Sequence, residues 1–325
     1  MNSMRVGRIG AQGHGQGRQY EVRLAGFFRL DLTVSVLRRL HSNVVDVLTS
    51  EGRYVRAFAA PRGNTIVAVQ QSGARKLKVS LDGDVGGELR VLETVHRMLG
   101  LDFGLTAFNR AAARIPWLRA LAIRMRGVKP PRYPTLWEAF VNAIAFQQVS
   151  LHAASAIVGR IVVDLQPPVF RHGVVCYPFP AVEQFLGSPD TALRAAGLSA
   201  TKIATLRRVG DAIAAGRLSE SSLEDRPTPE CMAILTKIKG VGPWTATVVL
   251  LRGLGRLDLF PLNDTSVVRN LALLAGAAPV DLPQALASLR PQQGMLYYHL
   301  LLARLETRRE LATFTGRRPS SPRHG

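Results

Sequence analysis

The sequence predicts an α+β fold: a small antiparallel sheet domain at the N-terminus, followed by an all-α core. Two patterns carry this. Apolar residues alternate with polar ones between about residues 20 and 82, then recur at helical spacing from about residue 100 onward. The chain's 325 residues also exceed what one core usually holds, so more than one domain is expected.

Residues 1–19, rich in Gly, Gln and Arg, read as a disordered basic tail. The sheet domain spans 20–100. Within it Phe28, Leu30 and Leu32 alternate with Arg29, Asp31 and Thr33, and Leu77, Val79 and Leu81 with Lys76, Lys78 and Ser80. Tyr54 to Ala59 and Thr65 to Val69 read as strands joined by a turn at Pro61-Arg-Gly-Asn64. The expected sheet is antiparallel with one solvated face. Leu37 to Leu40 and Leu89 to Leu99 switch to helical spacing.

The helical core spans 101–312. Thr135 to Glu138 form a capping-box pattern, with Leu136, Phe140 and Ile144 on one helix face. Ser150 can cap a helix whose stripe is Ala154, Ile157, Ile161 and Leu165. Another helix carries Ile203, Leu206, Val209 and Ile213 and stops at Gly216. Thr228-Pro229 starts the next, with Met232, Leu235 and Ile238 inward. The last helix, about 294–311, turns in Met295, Tyr298, Leu302 and Leu305. Residues 313–325 read as a second basic tail.

Lys and Arg number 42 against 23 Asp and Glu, a net charge of +19, and only six of the 42 are Lys. Arg presents a planar fork suited to phosphate, and a surplus of this size favours a polyanionic partner. The two tails hold six Arg and no acid, so the rest of the surplus lies on folded surface. Cys176 and Cys231 are too few for a disulfide framework, a four-Cys zinc site or an iron–sulfur cluster. No signal-peptide stretch or membrane span is visible, so a cytoplasmic, nucleoid-associated protein without a membrane partner is expected.

Residues 235–251 are the most informative segment. Two helical patterns are separated by Gly240-Val241-Gly242-Pro243, flanked by Lys237 and Lys239. Glycines permit a tight turn, and amides at a helix N-terminus make an anion site, so phosphate binding and a plain helical hairpin both fit.

Ile238-Lys-Gly-Val-Gly-Pro-Trp-Thr-Ala246, with Pro261-Leu-Asn-Asp264-Thr-Ser-Val-Val268 downstream, resembles the helix-hairpin-helix DNA glycosylases. Leu136 to Ser150, with its Gln-Gln-Val-Ser end, is similar to the 3-methyladenine DNA glycosylase II branch. Gly197 to Lys202 and Arg290-Pro291 are weaker landmarks, and the likeness covers about 20–310. The resemblance implies a monofunctional, likewise monomeric, glycosylase of base excision repair. It would act on double-stranded DNA containing damaged bases and release flipped alkylated purines such as 3-methyladenine and 7-methylguanine. The alternatives are a catalytically silent DNA-binding protein, or a glycosylase for oxidised or deaminated bases.

Residue by residue, the resemblance makes Asp264 the catalytic carboxylate, able to stabilise an oxocarbenium-like sugar or orient water. The plainer role of Asp264 is a helix cap, and the two can coexist. Gly240, Val241, Gly242 and Thr245 would hold a DNA phosphate, and Gln148 would fill the gap left by the extruded nucleotide. Trp244 occupies the position of the Schiff-base Lys of strand-cutting relatives and, with Leu301, would line the base pocket. Tyr297, Tyr298 and His299 lie near the pocket helix but are as well explained as core. No cofactor is required. The carbonyls of Thr236, Ile238 and Val241 match the positions that hold a structural Na or K ion. The chain departs from the family in having Lys239 where a Pro is usual, and in lacking aromatics at Val248, Thr265 and Leu301.

Overall fold

The computed structural model describes residues 6–9, 17–84, 86–262, 264–275 and 280–312. Its first part is an antiparallel sheet. Strands β1 (Val6–Ile9), β2 (Arg18–Arg23), β3 (Val47–Leu48), β4 (Tyr54–Ala60), β5 (Gly63–Gly73) and β6 (Lys76–Gly83) form one sheet in the order β1-β2-β6-β5-β4-β3. The turn expected at 61–64 joins β4 to β5, in register from Tyr54↔Val69 to Ala60↔Gly63. The alternation at 76–81 is strand β6, with Leu77, Val79 and Leu81 buried.

Helices α1 (Leu30–Arg38) and α2 (Glu88–Met98) flank the sheet. Then follow α3 (Thr106–Ala112), α4 (Pro116–Arg124), α5 (Leu136–Ala145), α6 (Leu151–Leu165), α7 (Val182–Leu186), α8 (Asp190–Ala195), α9 (Ala200–Ala214), α10 (Glu220–Glu224), α11 (Thr228–Thr236), α12 (Pro243–Val249), α13 (Thr265–Ala275), α14 (Leu282–Ser288) and α15 (Gly294–Thr307). Helix α12 runs on into a π turn over Leu250–Leu254, closed by left-handed Gly255. A short hairpin, β7 (Val169–Arg171) and β8 (Val174–Cys176), lies between α6 and α7.

Four expectations need correcting. First, 1–19 is not all tail: Val6–Ile9 pairs with β2 at the sheet edge, while 1–5, 10–16 and the tail at 313–325 lie outside the described residues.

Second, the alternation at 28–33 is not a strand. Leu30, Val34 and Leu37 pack on the sheet, whereas Leu32 and Val36 join the helical core, so α1 is buried on both sides. A helix that packs on two sides carries apolar residues beyond one stripe, here two apart at Leu30, Leu32, Val34 and Val36, and that spacing mimics a strand.

Third, the sheet's second face is not wholly solvated. Val55, Ala57, Ile66 and Ala68 are covered by Cys176, with Val169 and Val174 of the β7–β8 hairpin against them. The helical region is therefore not all-α.

Fourth, Thr135 accepts from the Glu138 amide, but Glu138 does not complete the capping box. Its carboxylate turns to Arg56 on β4, which also donates to Asp46 at 2.7 Å. Tyr54 donates to the same Asp46 oxygen at 2.7 Å. Arg56, Asp46 and Glu138 are all buried, so this network ties the sheet to α5. Burial pushes the Glu138 carboxyl up to about 7, with Arg56 drawing it down.

The helical part has two cores. One joins α5, α6, α9, α11 and α12 through Phe140, Leu206 and Val249; the other joins α3, α4, α13 and α15 through Phe108, Leu296 and Leu302. The main cleft opens between them. Among the described residues no helix is long and apolar enough to cross a membrane.

Candidate functional site

The hairpin is α11, a turn over 237–242, and α12. Gly240 has φ +97°, and a Cβ there would meet Thr205 Oγ1 on α9 at 2.0 Å. Glycine is needed for both the sign of φ and the close approach. Val241 is buried and anchors the turn, its amide donating to the Ile238 carbonyl at 2.9 Å. It does not present that amide outward as the sequence suggested. Gly242 is exposed as the residue before α12, with nothing within 4 Å of a Cβ. Pro243 brings no amide, and the Trp244 and Thr245 amides lie in the first turn, where no intrahelical acceptor exists. Exposed Lys237 and Lys239 add charge beside them.

Thr245 points inward. Its hydroxyl is buried and accepts from Gln147 Nε2 at 2.8 Å, so its amide, not its side chain, is left for an anion. Gln147 also donates to the Gly240 carbonyl at 3.3 Å, clamping the end of α5 to the hairpin. Lys202 Nζ reinforces that end, donating to the Ala145 and Gln147 carbonyls at 2.9 Å each. The next residue, Gln148, is exposed with φ +57° and stands at the lip of the cleft. Sequence reasoning chose Gln148 and missed the clamp. The doubled Gln was the available signal.

The cleft has a volume of about 1110 Å³. Trp244 and Val248 of α12 line one wall, and Val267 of α13 with Tyr297, Leu300 and Leu301 of α15 line the other. Asp264 lies on its wall, immediately before α13, with its carbonyl accepting from Val267 and Val268. Asp264 as a residue is 9% exposed, and Trp244 Nε1 donates to its Oδ2 at 3.2 Å. Two residues twenty positions apart, each selected from the sequence, thus meet directly. The helix-capping position and a place in the cleft coexist, as the sequence allowed. Asn263 and the Thr265 side chain lie outside the described residues.

Helix α15 sorts its residues by face. Tyr297, Leu301, Arg304 and Arg308 reach the cleft. Tyr298 is buried, donating to the Leu251 carbonyl at 3.2 Å. His299 is buried against Phe108, with Nδ1 donating to the Met295 carbonyl at 2.8 Å. Burial drives its imidazole down to about 4. It is a neutral core residue, not an acid or base of the cleft.

Charge in the cleft is one-sided. Arg39, Lys202, Arg269, Arg304 and Arg308 line it, and Asp264 is the single acid among its described lining residues. Burial, then Arg308 and Arg269, draw the Arg304 guanidinium down, with Asp264 opposing. Sequence reasoning missed these arginines individually, because 36 Arg residues give no positional signal. The geometry suits a polyanion lying over the hairpin, with one neutral or cationic group brought inward to the carboxylate. No cluster of His, Cys, Asp and Glu that could hold a metal occurs among the described residues. The Ile238 carbonyl, one of three suggested cation ligands, accepts the Val241 amide and keeps a second lone pair.

No protein-family model matches the chain. It is 32% identical over 236 residues to a probable bifunctional transcriptional activator/DNA repair enzyme AlkA of Mycobacterium tuberculosis, covering 72% of this chain and 45% of that one. To a DNA-3-methyladenine glycosylase of Bacillus subtilis it is 27% identical over 184 residues, 57% of this chain and 61% of that one. The chain thus spans about half the length of the curated relatives it matches. Among solved structures, a 3-methyladenine DNA glycosylase from Archaeoglobus fulgidus superposes with TM-score 0.75 at 24% identity, over 88% of this chain and 99% of that one. An 8-oxoguanine glycosylase/lyase of Clostridium acetobutylicum superposes with TM-score 0.69 at 17% identity, over 93% of this chain and 99% of that one. At these identities the two structures establish a shared fold.

Proposed function

From the chain's membership of the helix-hairpin-helix DNA glycosylases, with DNA-3-methyladenine glycosylases among its relatives, we propose that it excises damaged purines from duplex DNA by hydrolysis. The observation that carries the reading is the Trp244–Asp264 contact inside a basic cleft beside the hairpin.

In this reading the amides of Gly240, Gly242 and Thr245 hold a phosphate, and exposed Arg269 and Arg308 neutralise its neighbours. The damaged nucleotide turns into the cleft while Gln148 occupies its place in the stack. Leu301 and the Trp244 face flank the base. As the glycosidic bond lengthens, positive charge develops on the sugar, and the Asp264 carboxylate stabilises it and orients the attacking water. Trp244 Nε1 fixes one carboxylate oxygen and so orients the group. Methylated purines leave as neutral bases, so no leaving-group acid is needed. We accordingly expect 3-methyladenine and 7-methylguanine to be released faster than deaminated purines. With an indole at position 244, no Schiff base forms there and the strand is left uncut. No cofactor enters these steps. A Na or K ion on the Thr236, Ile238 and Val241 carbonyls would brace the turn.

Asp264→Asn tests the reading: base release from methylated duplex should vanish while affinity for undamaged duplex persists. Loss of both together would assign Asp264 to folding. Borohydride trapping should give no enzyme–DNA adduct, and an adduct would overturn the monofunctional assignment.

A further inference from the structure

Among the described residues, Arg39 is the one cleft-lining residue supplied by the N-terminal part of the chain. It follows the last turn of α1 with φ 59° and ψ −59°, a conformation that a residue bearing a Cβ adopts only at a cost. Glycine would serve better there if the position were merely a turn. The side chain crosses from α1 to the end of α5 and lies over the Phe146 ring, its Cζ 4.0 Å from the centroid. The residue is 7% exposed. Its buried Nε lacks an acceptor, and no hydrogen bond from its other guanidinium nitrogens is seen among the described residues. Arg38, Arg56 and Arg252 also leave Nε unpaired, yet each bonds an acceptor through another nitrogen, Arg38 to Glu310, Arg56 to Asp46 and Glu138, and Arg252 to Val36. An unpartnered fork, held at a strained position and stacked in place, is arranged for something that arrives.

We propose that Arg39 is a specificity-determining residue that donates to the acceptor edge of the flipped purine, favouring 6-oxo over 6-amino bases. This rests on the glycosylase reading above. The alternative acceptor, a backbone phosphate, is served by exposed Arg269 and Arg308 at the rim, whereas Arg39 is buried and immobilised on an aromatic ring. A guanidinium fork matches two acceptors at the separation of O6 and N7. Hypoxanthine offers both. 7-Methylguanine offers O6 alone, its N7 being methylated. 3-Methyladenine offers N7 alone, beside a 6-amino donor, and both methylpurines carry a positive charge that opposes the arginine. Arg39 thus works against the intrinsic lability of the cationic bases and widens the range of lesions accepted.

The test is the ratio of single-turnover excision rates on duplexes carrying each lesion, for wild type, Arg39→Met and Arg39→Lys. Arg39→Met should slow hypoxanthine release by roughly tenfold or more and release of the two methylpurines by much less or not at all. Arg39→Lys keeps the charge but loses the fork, so it should also lose hypoxanthine preferentially. Undamaged-duplex affinity and its salt slope should stay at wild-type values in both variants, which also reports that they fold. A uniform slowing of all three lesions, or a salt slope reduced by about one, would place Arg39 on a phosphate and overturn the proposal. If the wild type releases none of the three, the glycosylase reading itself fails.

Discussion

Placing a methyl group on Gly240 should destabilise the protein by about 2–5 kcal/mol. Two contributions add. At φ +97° an alanine suffers left-handed strain of about 1–2 kcal/mol. Its Cβ would also sit 2.0 Å from Thr205 Oγ1 and 2.8 Å from Thr205 Cγ2, an overpacking of about 1–3 kcal/mol. Thr205 cannot swing away, because its hydroxyl donates to the Thr201 carbonyl at 2.9 Å and the residue is buried. The two contributions can be separated. Thr205→Ala removes both of those contact atoms, leaving Thr205 Cβ at 2.9 Å, so it should relieve most of the overpacking and none of the strain. A double-mutant cycle in urea over wild type, Gly240→Ala, Thr205→Ala and the pair should show a favourable coupling of about 1–2 kcal/mol. Gly242→Ala is the control: it has open space and φ −85°, so stability should change by less than about 0.5 kcal/mol while duplex affinity falls. Additive effects in the cycle, with coupling below about 0.5 kcal/mol, would refute the packing argument for the turn.

Three further outcomes are expected. Trp244→Phe keeps the aromatic face but removes the donor to Asp264, and should slow base release by about 10–100-fold at unchanged duplex affinity, the value of one hydrogen bond to a charged group; an unaltered rate in single turnover would show that the contact does not position the carboxylate. Arg56→Met leaves Asp46 and Glu138 buried without their partner and should cost about 3–5 kcal/mol in a denaturant titration, and a loss under about 1 kcal/mol would contradict the buried network. His299 is held neutral at about 4, below its ordinary 6.5, so the unfolded chain binds the extra proton between those values. Stability should therefore fall as pH drops from 6.5 toward 4, by about 3 kcal/mol in all, and His299→Gln should flatten that part of the curve; an equal slope in both proteins would assign the acid sensitivity elsewhere.

The sequence by itself determined the features that are local or that repeat. The β4–β5 turn, the alternation of β6, the Ser150 cap and the helix starts at Thr135 and Thr228 depend on neighbours a few residues away. The Gly-rich turn was legible for the same reason, whereas Asp264 was singled out by the resemblance that the turn and its downstream segment carry. What only the tertiary structure decided is which distant groups meet. Helix α1 resembled a strand because its two faces serve two different cores, which places apolar residues two positions apart. Glu138 looked like half of a capping box until Arg56, 82 positions earlier, claimed its carboxylate. Gln147 and Gln148 are the same residue type side by side, yet one is clamped to Thr245 and the other stands at the lip of the cleft. Arg39 was one arginine among 36 until the fold laid it on Phe146. Charge and hydrogen-bonding capacity are written in composition, but their energetic meaning depends on burial and on the partner across the chain, and only packing supplies those.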